Sequence, residues 1–359
     1  MSHFSSFCDA LAKAELDAAI LTSSVSQRYL SNFLYHDGYL LVVGKKGYLI
    51  TDFRYEEAAR AKASPELEVL CPDCGMLVCI AGLLSEAGAR RVAIEESSLS
   101  VSALERMKKT LTDFELCSGA SEILSELRTC KNADELAVID RAQRITDAAF
   151  SHILKALTPS MTEIDVALEL EFFMRRSGAD GIAFNTIAVS GSASSLPHGT
   201  PRPCKLERGF LTMDFGASVD GYCADMTRTV VLGRADEDMK HLYNTVLRAQ
   251  TAAIEAASEG CSCFGLDKIA RDIIEGAGYK NRFGHSLGHG VGMHVHEEPR
   301  LSPKTAPEKK LCRGHVVTVE PGIYLAGKYG CRIEDMIAID NSGNLINFTK
   351  SPKELTELF

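Results

Sequence analysis

Two aspartates set in apolar, strand-forming sequence constrain this chain more than any other feature. Leu211-Thr-Met-Asp214-Phe-Gly216 is a strand-like run with a carboxylate inside it. Asp220-Gly221 is a two-residue hairpin signal that leads into Tyr222-Cys-Ala-Asp225-Met-Thr-Arg-Thr-Val-Val-Leu232. Across an even-length loop, directly paired residues carry numbers of odd sum, a condition that positions 214 and 225 meet. Both aspartates therefore point to one face, as direct or diagonal neighbours. Facing carboxylates repel, and a fold keeps them together only with a cation between them or a proton on one. A second pair behaves likewise: Glu320 ends the apolar run Val316-Val-Thr-Val-Glu320, and Glu334 follows Gly330-Cys-Arg-Ile in another strand-like stretch. Positions 320 and 334 have an even sum, so a shared face demands an odd loop or a bulge, which Gly322, Gly327 and Gly330 make easy.

Between these pairs lies Phe283-Gly-His285-Ser-Leu-Gly-His289-Gly-Val-Gly-Met-His294-Val-His296-Glu-Glu-Pro299, and five of the ten histidines fall between 285 and 315. The glycines beside His289 are expected to let the backbone approach a bound ligand. One histidine with four carboxylates is a mainly oxygen donor set, hard enough for manganese and borderline for zinc, cobalt or iron. Five such side chains, some of them bridging, suit two ions about 3.5–4 Å apart, the arrangement that activates water for hydrolysis. Gly284-His-Ser286-Leu-Gly288 also fits the G-x-S-x-G pattern of serine hydrolases. That motif needs a preceding strand and a following helix, and here Tyr279-Lys-Asn-Arg-Phe is polar and the continuation is glycine-rich.

The remaining sequence sets the frame. At 359 residues, 45% hydrophobic and 24% charged, the chain is expected to form two globular domains. With 39 Lys and Arg against 48 Asp and Glu, a net charge of −9 argues against nucleic-acid binding. No apolar run approaches the ~20 residues that span a bilayer, and the N-terminal stretch has no signal-peptide character, so a cytoplasmic protein is expected. Twelve scattered cysteines then read as free thiols, and Cys71-Pro-Asp-Cys74 lacks a second pair to complete a zinc site. The first third alternates strands and helices: strands at 18–22, 91–95 and 114–117, helices at 55–63, 77–87 and 100–110, and a hairpin of 39–43 and 48–51 over Gly44-Lys45-Lys46-Gly47. Capping-box signals at Asn132-x-x-Glu135 and Thr162-x-x-Asp165 open two long helices separated by Pro159. Glycine-rich loops and strands follow from Thr186, with a helical insert from 235 to about 277. The junction falls near 118–127, giving an N-terminal α/β domain at 1–122 and a second domain at 123–359. No repeat of 20 to 50 residues is visible.

The segments Met213-Asp214-Phe-Gly, Gly221-Tyr-Cys-Ala-Asp225-Met-Thr-Arg-Thr, Gly288-His289-Gly-Val-Gly, His296-Glu-Glu-Pro, Val319-Glu320-Pro-Gly and Arg332-Ile-Glu334-Asp resemble those of the pita-bread metallopeptidases, specifically the Xaa-Pro peptidases (prolidase and aminopeptidase P). The resemblance implies an α+β fold: a catalytic pita-bread domain preceded by a smaller creatinase-type α/β domain that shapes the substrate pocket and a homodimer. It also implies that Asp214 binds one divalent ion and His289 and Glu320 the other. Asp225 and Glu334 would bridge both and hold a hydroxide, with manganese the expected metal and cobalt, zinc or iron as alternatives. On the same basis the hydroxide attacks the bond before proline in peptides or dipeptides, with Glu320 as proton shuttle. His296 would stabilise the tetrahedral intermediate, His198 lie near the leaving nitrogen, His285 contact the proline ring, and Arg332 face the substrate carboxylate or backbone. His294 and His315 match no assigned role. The alternatives are a catalytically inactive interaction module, which in this family has lost the ligands, and a serine hydrolase using Ser286.

Overall fold

The computed structural model describes residues 2–359, which divide into two compact units, 2–128 and 129–359. The first unit is built on a six-stranded sheet in the order Leu67–Leu70, Lys46–Thr51, Gly38–Val43, Ala18–Leu21, Arg91–Ile94, Glu115–Cys117. Gly38–Val43 runs antiparallel to both neighbours and the outer pairings are parallel. Ile20, Leu41, Ile50, Ile80 and Leu84 meet in its core. The expected hairpin turn narrows, because Val43 pairs with Lys46 and only Gly44-Lys45 forms the loop, with Gly44 at φ +57°. Elements beyond those expected include the helices Ser24–Ser31 and Ala120–Thr129 and the strand Leu67–Leu70; the first is short and poor in apolar residues. The first is started by Ser23, whose side chain accepts from the Ser26 N–H. The segment 118–127 is therefore mostly helix, and the division between units falls near that helix's end.

In the second unit a similar layout occurs twice. The helices Ala133–Ala156 and Glu163–Arg176 precede the strands Ile187–Ser190, Gly209–Phe215 and Met226–Leu232; the helices Glu237–Ala256 and Cys263–Gly276 precede Gly288–Gly290, Val316–Val319 and Asp335–Ile339. Both capping boxes form reciprocally at Asn132 and Thr162. The shorter helix of each half is capped by Thr162 or Ser262, and these two residues make matching isolated bridges to Lys205 and Lys310. The helical insert thus breaks between Ala256 and Cys263. Among the described residues no helix is long and apolar enough to cross a membrane.

Arg228 joins the halves. Its side chain is among the largest that are fully buried, and a guanidinium brings five N–H donors that a dry interior must satisfy. Nε donates to Pro352 O (3.1 Å), Nη1 to Thr227 O (3.0 Å) and Glu334 O (2.6 Å), and Nη2 to Asp335 Oδ1 (2.8 Å) and Ser351 O (2.8 Å). A second ion pair, between the buried Glu163 and the partly exposed Arg202, holds the loop that contains His198. Glu163 Oε1 accepts from Ser190 N, Ser190 Oγ and Arg202 Nη2, and Oε2 from Arg202 N and Nε, all within 3.0 Å. Burial alone would raise the Glu163 carboxyl, but Arg202 and Ser190 hold it below the ordinary carboxylate value.

Replacing Arg228 with Met is expected to cost about 3–5 kcal/mol in urea unfolding, because it removes five hydrogen bonds from buried acceptors and leaves the Asp335 carboxylate with Lys353 and Asn347 alone. Glu163→Gln should cost about 1–3 kcal/mol at neutral pH. A carboxyl with a depressed folded-state value contributes fully above its unfolded value and loses that contribution as pH falls through the folded one. The gap between wild type and E163Q should therefore close below about pH 4.3, which urea titrations across a pH series would record.

Candidate metal centre

The two acid-bearing hairpins deliver their carboxylates to one cavity of about 380 Å³ within the second unit. In the first hairpin, Asp214 pairs with Thr227 and Val219 with Tyr222 across Asp220-Gly221. One register runs through both pairings, so Asp225, two residues before Thr227, is the diagonal neighbour of Asp214 on the same face. In the second, Val319 pairs with Asp335. The intervening hairpin pairs Gly322 with Arg332 and Leu325 with Tyr329. Its loop is the three residues 326–328 with Gly327 at φ +72°, an odd loop that preserves the register and sets Glu320 opposite Glu334.

His289 enters from the strand Gly288–Gly290. The glycines beside it admit neighbouring backbone rather than a ligand: a Cβ on Gly288 would stand 2.0 Å from Thr318 O, and one on Gly290 2.1 Å from Glu298 O. Adjacent strands can close around the histidine only because those side chains are missing. The ring is fixed by Nδ1 against Gly290 O at 3.1 Å, which turns Nε2 toward Glu320 Oε1 (3.3 Å) and Asp225 Oδ2 (3.7 Å).

Asp225, His289 and Glu334 are all buried, and their ligand atoms lie within 4.8 Å of one another. Thr227 Oγ1 donates to Glu334 Oε2 at 2.6 Å. Burial and then the neighbouring carboxylates push Asp225 and Glu334 far above the ordinary carboxylate range, and Asp214 rises too, chiefly through burial. Glu320 goes the other way despite its burial, drawn down to about 2 by the His289 imidazole. Asp214 Oδ1 and Glu334 Oε1 are buried without a hydrogen-bond partner. Orphaned carboxylate oxygens, clustered acids that repel and an imidazole turned among them fit divalent cations.

Around these groups stand the other residues singled out in the sequence. His285, half-buried, is held by Ser286 O and Tyr324 Oη, both at 2.9 Å. His198 and His296 also line the cavity but are solvent-exposed, and the His296 ring packs edge-on against His289 with centroids 4.2 Å apart. Arg332 is 3% exposed and turned onto the site's own groups: Nη2 to Asp214 Oδ2 (2.6 Å), Nε to Thr227 Oγ1 (2.9 Å), and Nη1 to Tyr324 Oη (2.8 Å) and Pro197 O (3.2 Å). His294 is exposed outside the cavity lining. His315 lies in the interior, its Nδ1 accepting from the Cys312 N–H. Ser286 reaches the cavity wall from irregular chain that runs into a strand, which is not the strand-to-helix elbow of a serine nucleophile. Sequence patterning missed Tyr324, whose Oη meets His285 and Arg332, and Arg300, which lines the cavity.

Residues 137–341 match metallopeptidase family M24, and residues 5–130 match the creatinase/prolidase N-terminal domain. An uncharacterized peptidase of Bacillus subtilis is 39% identical over 95% of each chain. The Xaa-Pro dipeptidase of Pyrococcus horikoshii is 35% identical over 96% of this chain and 95% of its own. The crystal structure of an Xaa-Pro dipeptidase from Bacillus anthracis superposes with a TM-score of 0.93 at 38% identity, covering 99% of both chains.

Asp225→Asn removes one of the mutually repelling charges. In EDTA the variant should be at least as stable as the wild type, because one of the clustered, mutually repelling carboxylates is gone. In Mn2+ the order should reverse, because the wild type gains about 2.7 kcal/mol at a hundredfold excess over Kd and the variant does not. Thermal unfolding with and without Mn2+ checks both halves of this expectation.

Proposed function

The chain belongs to metallopeptidase family M24, with the pita-bread fold of that family, and from this premise we propose that it hydrolyses the Xaa-Pro bond of short peptides or dipeptides. The observation that carries the reading is the convergence of four carboxylates and His289 on one cavity, with Asp225, Glu334 and His289 buried, Asp214 and Glu320 partly so, and His198 and His296 exposed at its edge. Two divalent ions, manganese by the hardness of the donors, would be held by Asp214, Asp225, His289, Glu320 and Glu334, and when bound supply a water of lowered pKa and polarise the scissile carbonyl.

Around that chemistry the chain's own residues divide the work. The Glu320 carboxylate takes the proton released when water oxygen bonds to the carbonyl carbon, and returns it to the proline nitrogen as the C–N bond breaks. His296 donates from its imidazole to the developing oxyanion. His198 lies on the leaving-nitrogen side. His285, locked by Ser286 O and Tyr324 Oη, offers a fixed ring face to the proline. Arg332 has its guanidinium committed to Asp214, Thr227, Tyr324 and Pro197 O, so we assign it to holding the Asp214 carboxylate and the loop before His198. Arg300, the other guanidinium lining the cavity, is assigned to the substrate carboxylate. The same reading takes in a homodimer working in the cytoplasm.

The Mn2+-loaded protein is expected to cleave Ala-Pro, Ala-Pro-Ala or both, and to leave Ala-Ala-Ala largely intact. Glu320→Gln should lower kcat by about 10²–10⁴. Cleavage of the dipeptide alone marks a dipeptidase, and cleavage of the tripeptide an aminopeptidase. If fully loaded protein cleaves neither, the proposal fails.

A further inference from the structure

Close to the cavity lies a buried ion pair that the chemistry above does not use. The Lys131 side chain is 1% exposed, and its Nζ stands 3.2 Å from Oε2 of Glu297, whose side chain is 6% exposed. The other carboxylate oxygen of Glu297 accepts the His294 N–H at 3.1 Å, and the Gly292 N–H donates to His294 O at 3.0 Å. These bonds fold residues 292–297 into a tight turn with no room to spare. A Cβ on Gly292 would stand 2.4 Å from Glu297 Oε2 and 3.0 Å from Lys131 Cε. Across the sheet Glu297 pairs with Gly290, and the register slips between His289 and Gly290. One carboxylate thus ties together the strand of His289, the turn that presents His296, and Lys131. Lys131 is itself anchored, its N–H donating to Gly314 O at 2.8 Å. Four residues on, Glu135 accepts from Tyr222 Oη at 2.8 Å, in the hairpin that presents Asp225.

We propose that Lys131 is a positioning residue for peptide hydrolysis: by neutralising Glu297 away from water it fixes the 292–297 turn, and so holds the His296 imidazole against His289 at the reacting carbonyl. The inference rests on the peptidase reading above. Without the ammonium, the Glu297 carboxylate would be a buried charge deprived of its Lys131 partner, which favours taking a proton or moving toward solvent. Either change releases the His294 N–H or shifts the neighbouring His296.

Lys131→Met alone leaves that stranded charge and is expected to destabilise the protein. The neutral pair K131M/E297Q removes both charges and separates positioning from folding. In the Mn2+-loaded double variant, kcat toward Ala-Pro or Ala-Pro-Ala should fall about 10- to 100-fold, with KM changed less than about threefold. Amide hydrogen exchange over 292–297 should speed up about tenfold or more while that of Gly209–Phe215 stays as in the wild type. Unchanged exchange in the turn overturns the proposal, and so does faster exchange with unchanged kcat. A wild type inactive on every Xaa-Pro peptide, alongside faster exchange in the double variant, would instead overturn the peptidase reading and leave the role of Lys131 in fixing the turn standing.

Discussion

Four carboxylates that repel one another inside a dry cavity set the terms for the rest of the second unit. Gathering Asp214, Asp225, Glu320 and Glu334 opposes folding, so the surrounding structure has to hold them in place by other means. It does so by making each acid an outgrowth of a hairpin whose register leaves little choice of direction, and by locking the hairpins to each other. Arg228 carries much of that lock, joining the strand after Asp225 to the backbone of Glu334 and the side chain of Asp335. Arg332 adds to it, spanning Asp214, Thr227 and Tyr324, as do Thr227 and Thr229 through their hydroxyls.

Much of this geometry was legible in the chain because strand parity is arithmetic. A two-residue turn at Asp220-Gly221 fixes the relation of Asp214 to Asp225 without reference to anything distant. The relation of Glu320 to Glu334 could be stated only as a condition, an odd loop or a bulge, and the three-residue loop at Gly327 meets it. The capping boxes at Asn132 and Thr162 were equally readable, since every partner lies within three residues. What escaped notice depends on neighbours remote in sequence. Gly288 and Gly290 look like room for a ligand until Thr318 and Glu298 are seen against them. The bond from Arg332 to Asp214, at 2.6 Å, joins residues 118 positions apart and leaves no local trace in the sequence. The helix Ser24–Ser31 is the exception: its serine cap is local, but few of its residues are apolar.

Burial sorts the polar residues of the cavity by task. Asp225, Glu334 and His289 are buried and Asp214 and Glu320 partly so, where charge interacts more strongly than in water and an ion would be gripped harder. His198 and His296 sit where solvent reaches, which suits groups that must meet an arriving peptide and exchange protons. His285 falls between, with both ring nitrogens already engaged, so it offers a surface rather than a proton.

The twofold layout of the second unit has a consequence for how the centre can exist at all. Asp225 directly precedes the last long strand of one half and Glu334 the matching strand of the other, so each half contributes two of the four acids and neither encloses a coordination sphere by itself. Were the halves separate molecules, bringing them together would require an encounter between two like-charged surfaces. A continuous peptide turns that encounter into a tethered one, with an effective concentration no pair of free partners would reach, and the centre comes into being only at the seam.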